Sequence, residues 1–104
     1  MTGIIWYKNR EVGFDRFDKL IEEYSRLGVT PTKVKKSYFF AFVHFDNGDY
    51  WRVFSASDSN RGAACNVSLI EYDVDQELVD CIIKPCTKAF PYRAIGYYGN
   101  IDLE

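Results

Sequence analysis

One histidine, one methionine, three prolines and three cysteines stand in 104 residues, and each scarcity excludes something. With His44 alone and no nucleophile motif, no Ser-His-Asp set can be argued, and a single histidine in a strand is read as a packed residue. Cys65, Cys81 and Cys86 are odd in number and lack a Cys-x-x-Cys spacing, which supports neither a disulfide framework nor a zinc site. They are expected to be reduced core thiols of a cytoplasmic protein. No apolar run reaches membrane-spanning length; the longest, Tyr38 to Phe45, is broken by His44. Residues Met1 to Lys8 lack the basic-then-apolar order of a signal peptide, so Asn66-Val67-Ser68 is taken as a chance glycosylation pattern. An excess of charge is lacking too. Thirteen basic against fifteen acidic residues leave a net charge of -2, which gives no general reason to bind nucleic acid or a membrane and is too weak to imitate DNA.

What is present is ordinary in amount and aromatic in kind. Hydrophobic residues at 47% and charged residues at 27% fit one globular domain over residues 1–104. Aromatics reach 17%, which points to strands and to a core or interface built on rings. Gly3 to Tyr7 reads as a short apolar strand. Phe14, Phe17, Leu20, Ile21, Tyr24 and Leu27 then recur at helical steps, with Asp15–Lys19 and Glu22–Arg26 spaced to pair and Gly28 as the stop. Tyr38–Phe45 and Tyr50–Ser55 form a hairpin, and Asn47-Gly48 favours a two-residue turn. That turn sets Phe45 against Tyr50, His44 against Trp51, Val43 against Arg52 and Phe42 against Val53. One face would hold Tyr38, Phe40, Phe42, His44, Trp51 and Val53; the other, Phe39, Ala41, Val43, Phe45, Tyr50, Arg52 and Phe54. Both faces are apolar, so the hairpin is covered on both sides or binds something with one.

Beyond the polar loop Ser55 to Gly62, Val67–Tyr72 reads as a buried strand. A helix follows from Asp73, with Gln76 in the capping-box position and Pro85 at its end, and Tyr92–Gly99 is the last strand. The order β-α-β-β-β-α-β predicts an α/β fold: a small sandwich with a mostly parallel sheet, an antiparallel β-hairpin and two helices.

Metal chemistry is poorly supported. Asp46 and Asp49 flank a turn too short for a calcium loop. Glu71, Asp73, Asp75 and Glu77 are explained by a helix amino end that favours carboxylates. Lys33, Lys35 and Lys36 read as a solvated entrance to a strand, with a phosphate-tracking patch as the rival reading.

The run Asn47-Gly48-Asp49-Tyr50-Trp51-Arg52-Val53-Phe54-Ser55, followed by Arg61-Gly62 and then Val67-Ser68-Leu69-Ile70-Glu71, resembles the ATPase core of phage large-terminase and helicase-like motors. The resemblance covers about residues 1 to 99. It implies a phage or mobile-element source and places Glu71 where such a motor holds magnesium. Tyr72 stands where the water-activating glutamate would be, and no Gly-rich loop ending in Lys-Ser or Lys-Thr occurs to cradle phosphate. On this reading the scaffold is kept and the motor lost.

The expectation is therefore a small non-catalytic binding or regulatory protein without cofactor or metal. It would act through an aromatic surface on a protein or small-ligand partner, with nucleic acid possible but not favoured by charge, and no membrane. Trp51, Tyr50, Tyr97 and Tyr98 are the ring candidates, since such rings dominate interfaces. Arg52 is a further binding candidate; the alternative is nucleotide or nucleic-acid binding without hydrolysis, through the loop donors Ser57, Asp58, Ser59, Asn60, Arg61 and Gly62.

Overall fold

Gly3 to Tyr7 are buried without interruption, and a strand buried on both faces belongs at the middle of a sheet. The computed structural model, which describes residues 1–88 and 94–98, places it there. In chain order the elements are β1 (Thr2–Tyr7), α1 (Arg10–Arg26), β2 (Pro31–Lys36), β3 (Ala41–Phe45), β4 (Tyr50–Ser55), β5 (Val67–Glu71), α2 (residues 76–86) and β6 (Ala94–Tyr98). They build one mixed sheet in the order β2-β3-β4-β1-β5-β6. β4, β1, β5 and β6 are parallel; β2 and β3 add antiparallel at one side. The fold is the expected α/β class with one strand more. β2 is that strand, and it contains the lysines read from sequence as a strand entrance. Tyr92, Arg93 and Gly99, expected in the last strand, lie outside the described residues.

The two helices cover different halves of opposite faces. In α1 the Asn9 side chain accepts the Glu11 N–H at the amino end, Phe14, Phe17 and Leu20 are buried, and Gly28 takes the left-handed φ of 82° that stops the helix. Both expected pairs form on its outer side, Lys19–Asp15 at 3.2 Å and Arg26–Glu22 at 3.9 Å. Its apolar stripe packs with Ile5 and Tyr7 of β1, Ala41, Val43 and Phe45 of β3, and Trp51 and Val53 of β4. Leu27, counted with that stripe in the sequence, is exposed.

On the other face α2 packs Val79, Ile82, Ile83 and Cys86 over Ile4, Trp6 and Ile70. It starts at Gln76 rather than Asp73, because residues 71–74 form a turn closed by the Val74 N–H on Glu71 O at 3.0 Å. Val79–Ile83 is a wide π-type turn, and the helix runs through Pro85 to Cys86 instead of ending at the proline.

The β3–β4 turn corrects the expected hairpin. Gly48 is not the second residue of a two-residue loop. Its N–H reaches Phe45 O at 3.0 Å, its φ is 93°, and the Phe45 N–H bonds to Asp49 O at 2.9 Å. This is a type I turn closed by a left-handed glycine, the three-residue loop with a bulge. One extra loop residue shifts the pairing by one, to Ala41↔Val53, Phe42↔Arg52, Val43↔Trp51 and His44↔Tyr50. A one-residue shift exchanges faces between partner strands. Ala41, Val43 and Phe45 therefore join Trp51 and Val53 under α1, while Phe42 and His44 join Tyr50, Arg52 and Phe54 on the opposite face.

Candidate functional site

That opposite face is the open part of the molecule. α2 lies over β1 and β5, and Phe42, His44, Tyr50 and Arg52 belong to neither core cluster. Strand register arranges the face in rows, because directly paired residues point to one side. Lys33, His44 and Tyr50 form one row, and Lys35, Phe42 and Arg52 the next. Phe40 and Phe54 stand beyond them, and with Phe42, Tyr50 and Arg52 they line a cleft of about 380 Å³.

Contacts within the face are between rings and cations. The His44 ring stacks on Tyr50 with centroids 4.3 Å apart, and Phe42 meets both rings edge-on at 5.6 and 6.1 Å. The Arg52 guanidinium lies 5.4 Å from the Tyr50 ring and 5.4 Å from the Phe54 ring, and Lys33 Nζ lies 5.8 Å from Phe42. Such contacts hold a cation in place over an apolar floor without neutralising it. Arg52 Nη2 donates to Ala64 O, which ties the loop after β4 along the border of the face. No Asp or Glu occupies a face position on β2, β3 or β4. The face is aromatic and cationic in a chain of net charge -2.

The turn from β2 to β3 extends the aromatic surface. Tyr38 and Phe39 are 66% and 69% exposed, yet their backbone is pinned: Tyr7 Oη donates to Phe39 O at 2.7 Å, and Arg10 Nε donates to Tyr38 O. Burial raises the Tyr7 pKa, partly offset by Arg10, so this donor keeps its proton.

The residues singled out from sequence are scattered. Trp51 is a core ring whose indole N–H donates to Tyr24 Oη at 2.9 Å, so it is not on the open face. Arg52 is on it. Tyr97 is exposed on edge strand β6, whereas Tyr98 is half-buried and donates its hydroxyl to Trp6 O at 2.8 Å. Burial, and then the Glu71 carboxylate, push the Tyr98 pKa far upward.

The loop of Ser57, Asp58, Asn60 and Arg61 spends its polar groups on itself and on α2. Ser57 Oγ meets Ser55 Oγ and Ser59 Oγ, and Asn60 Nδ2 donates to Ser55 O at 2.8 Å. Arg61 Nε donates to Asp58 Oδ1 at 3.1 Å, and Nη1 to Cys81 O at 3.2 Å.

Glu71 is also engaged. In a parallel sheet whose helices leave to opposite faces, ligands enter where the connections diverge, here between the carboxyl ends of β1 and β5. Glu71 fills that place. It is 2% exposed, and its Oε1 accepts the N–H groups of Lys8 and Asn9, both at 2.8 Å. The amino end of α1, a natural anion site, is satisfied by the protein's own carboxylate.

Among the described residues no cluster of three or more His, Cys, Asp or Glu is placed to hold a metal, and no helix is long and apolar enough to cross a membrane. Cys65 and Cys86 are buried, Cys81 is exposed, and burial raises the Cys65 thiol pKa. Comparison of the chain with models of known families, with curated proteins and with solved structures finds no match. The features that sequence reasoning missed are Lys33 and Lys35 as strand residues, and Phe42 and Phe54 as companions of Tyr50 on one face. The alternation of Lys33 and Lys35 with Thr32, Val34 and Lys36 was the available signal for a two-sided edge strand.

Proposed function

We propose that this protein is a non-catalytic binding module whose working surface is the open face of β2, β3 and β4. The observation that carries the reading is the local composition: four phenyl or phenol rings, His44 and three cations at adjacent positions, with no carboxylate among them. A partner that suits this surface presents a flat ring system and negative charge together. Rings favour stacking, and cations over an apolar floor favour anions. No nucleophile and acid–base pair is assembled on these positions, which favours binding over turnover.

The test is a backbone-amide NMR titration with adenosine monophosphate and with adenosine. Shifts centred on Phe42, Tyr50 and Arg52, weaker for the uncharged nucleoside, are the expected result. Shifts centred on residues 57–62 or on Tyr97 would move the site elsewhere, and no shifts with either compound would overturn the reading.

A further inference from the structure

Resting on that reading of the face, we infer that its partner is single-stranded nucleic acid, laid along β2 and β3 with its bases over the rings. Three properties of the surface converge. It is a sheet surface open to solvent, so a chain can enter and leave along the strand direction. Its chemistry repeats: Lys33 with His44 and Tyr50, then Lys35 with Phe42 and Arg52, then Phe40 with Phe54. Successive rows are two residues apart along a strand, roughly 6.6 Å, and neighbouring columns are separated by about 4.8 Å. The third property is the order across the two rows that contain a lysine. The lysines occupy the outer strand and the rings the inner strands, so phosphates can track β2 while bases turn inward.

This arrangement selects among polyanions. Unpaired bases expose a π-face to each ring, which is how sequence-tolerant single-strand sites work. A duplex keeps those faces stacked on one another and offers the rings nothing. An acidic polypeptide matches the lysines but leaves most of the aromatic area in contact with water. Arg52, beside the Tyr50 and Phe54 rings, adds a third cation at the inner end of its row. With a net charge of -2, the remainder of the chain adds no attraction. Affinity should therefore be modest and set by three cations, Lys33, Lys35 and Arg52, which gives a slope of log K against log salt of about -2.

The experiment is fluorescence anisotropy with labelled oligo(dT) and oligo(U) from about two to about ten nucleotides. A duplex and poly-L-glutamate are run alongside, each at several salt concentrations. Affinity should climb with length to about three or four nucleotides and then level, one for each row plus an end. Lys33→Ala or Lys35→Ala should flatten the salt slope by about 0.7, while Lys19→Ala on the far helix leaves it unchanged. Phe42→Ala should weaken binding roughly tenfold with the slope retained. Phe42→Leu, which keeps apolar volume but no π-face, guards against a folding defect and should weaken binding similarly. A preference for oligo(U) or oligo(dT) names the natural source and supports the inference either way.

Equal affinity for poly-L-glutamate or the duplex would overturn it, as would unaltered affinity in both Phe42 variants. If adenosine monophosphate maps to the face but affinity shows no gain with length, the face remains a small-ligand site and the single-strand inference falls alone. If neither monomer nor oligomer binds, both fall.

Discussion

The Trp51 ring lies flat against Gly3 in the neighbouring strand, so that a Cβ on Gly3 would sit 2.6 Å from Cδ2 and closer still to Cε3. The absent side chain lets the indole cross β1 and reach Tyr24, to which it donates. The Tyr24 hydroxyl in turn donates to Asp49 Oδ2 at 2.7 Å, linking α1, β4 and the hairpin turn. Gly3→Ala should therefore destabilise the protein by about 1–3 kcal/mol, as overpacking does, with the midpoint of urea unfolding as the measure.

Asp49 gives this chain a pH signature. Burial alone would raise its pKa, but hydrogen bonds from Tyr24, the Met1 amino group and Asn47 outweigh burial and lower it below the ordinary 3.8. A carboxylate depressed in the folded state contributes stability that is fully present above about pH 4 and is lost as pH falls through the lowered value. Asp49→Asn should remove that component of the acid dependence and leave a flatter curve. Urea unfolding followed from about pH 5 down to about pH 2.5 checks it; a variant with the wild-type acid profile would contradict the assignment.

At Glu71 the cost falls on the backbone. Glu71→Ala removes the buried acceptor of the Lys8 and Asn9 N–H groups and should cost about 3 kcal/mol. Glu71→Gln retains an acceptor oxygen and should cost less. Equal losses in calorimetric unfolding for the two variants would mean that volume, not hydrogen bonding, makes this position important.

Arg61 sits outside the core but closes a gap in α2. Pro85 has no N–H to offer Cys81 O four residues earlier, and the guanidinium donates to that carbonyl. Asp58 beside it raises the Arg61 pKa. Arg61→Ala should leave the melting temperature close to wild type while hydrogen exchange quickens in residues 58–62. A large fall in melting temperature would show that this tie matters to the whole fold.

The thiols should divide cleanly. Cys81 is exposed and should react promptly with an alkylating reagent, whereas Cys65 and Cys86 should react only on unfolding. Mass spectrometry of the native protein after brief alkylation should find one adduct. Two or more would place a buried thiol within reach of solvent.

Much of this fold was legible because one face of an element reports its own periodicity. Phe14, Phe17 and Leu20 located α1, and the unbroken apolar stretch Gly3–Tyr7 located a strand. The open face was illegible because it depends on relations between strands. Asn47-Gly48 fits a two-residue turn and equally the end of a bulged one, and that single residue decides whether Tyr50 stands beside Phe42 or Phe45. β2 carried no hydrophobic signal, since five of its six residues are exposed and backbone pairing holds it. Trp51 misled because ring type does not report direction: its neighbours Tyr50 and Arg52 point to solvent and it points into the core.

β2 is also the rim of the sheet, where unpaired N–H and C=O groups invite another strand. Lys33, Lys35 and Lys36 make that invitation unattractive to a second copy, since a strand pairing rim to rim would set cation against cation. Two of these side chains, Lys33 and Lys35, are also the ones on which the proposed polyanion contact rests. A chain stripped of its lysines would gain a sticky border, so β2 guards the edge of the sheet whatever the open face binds.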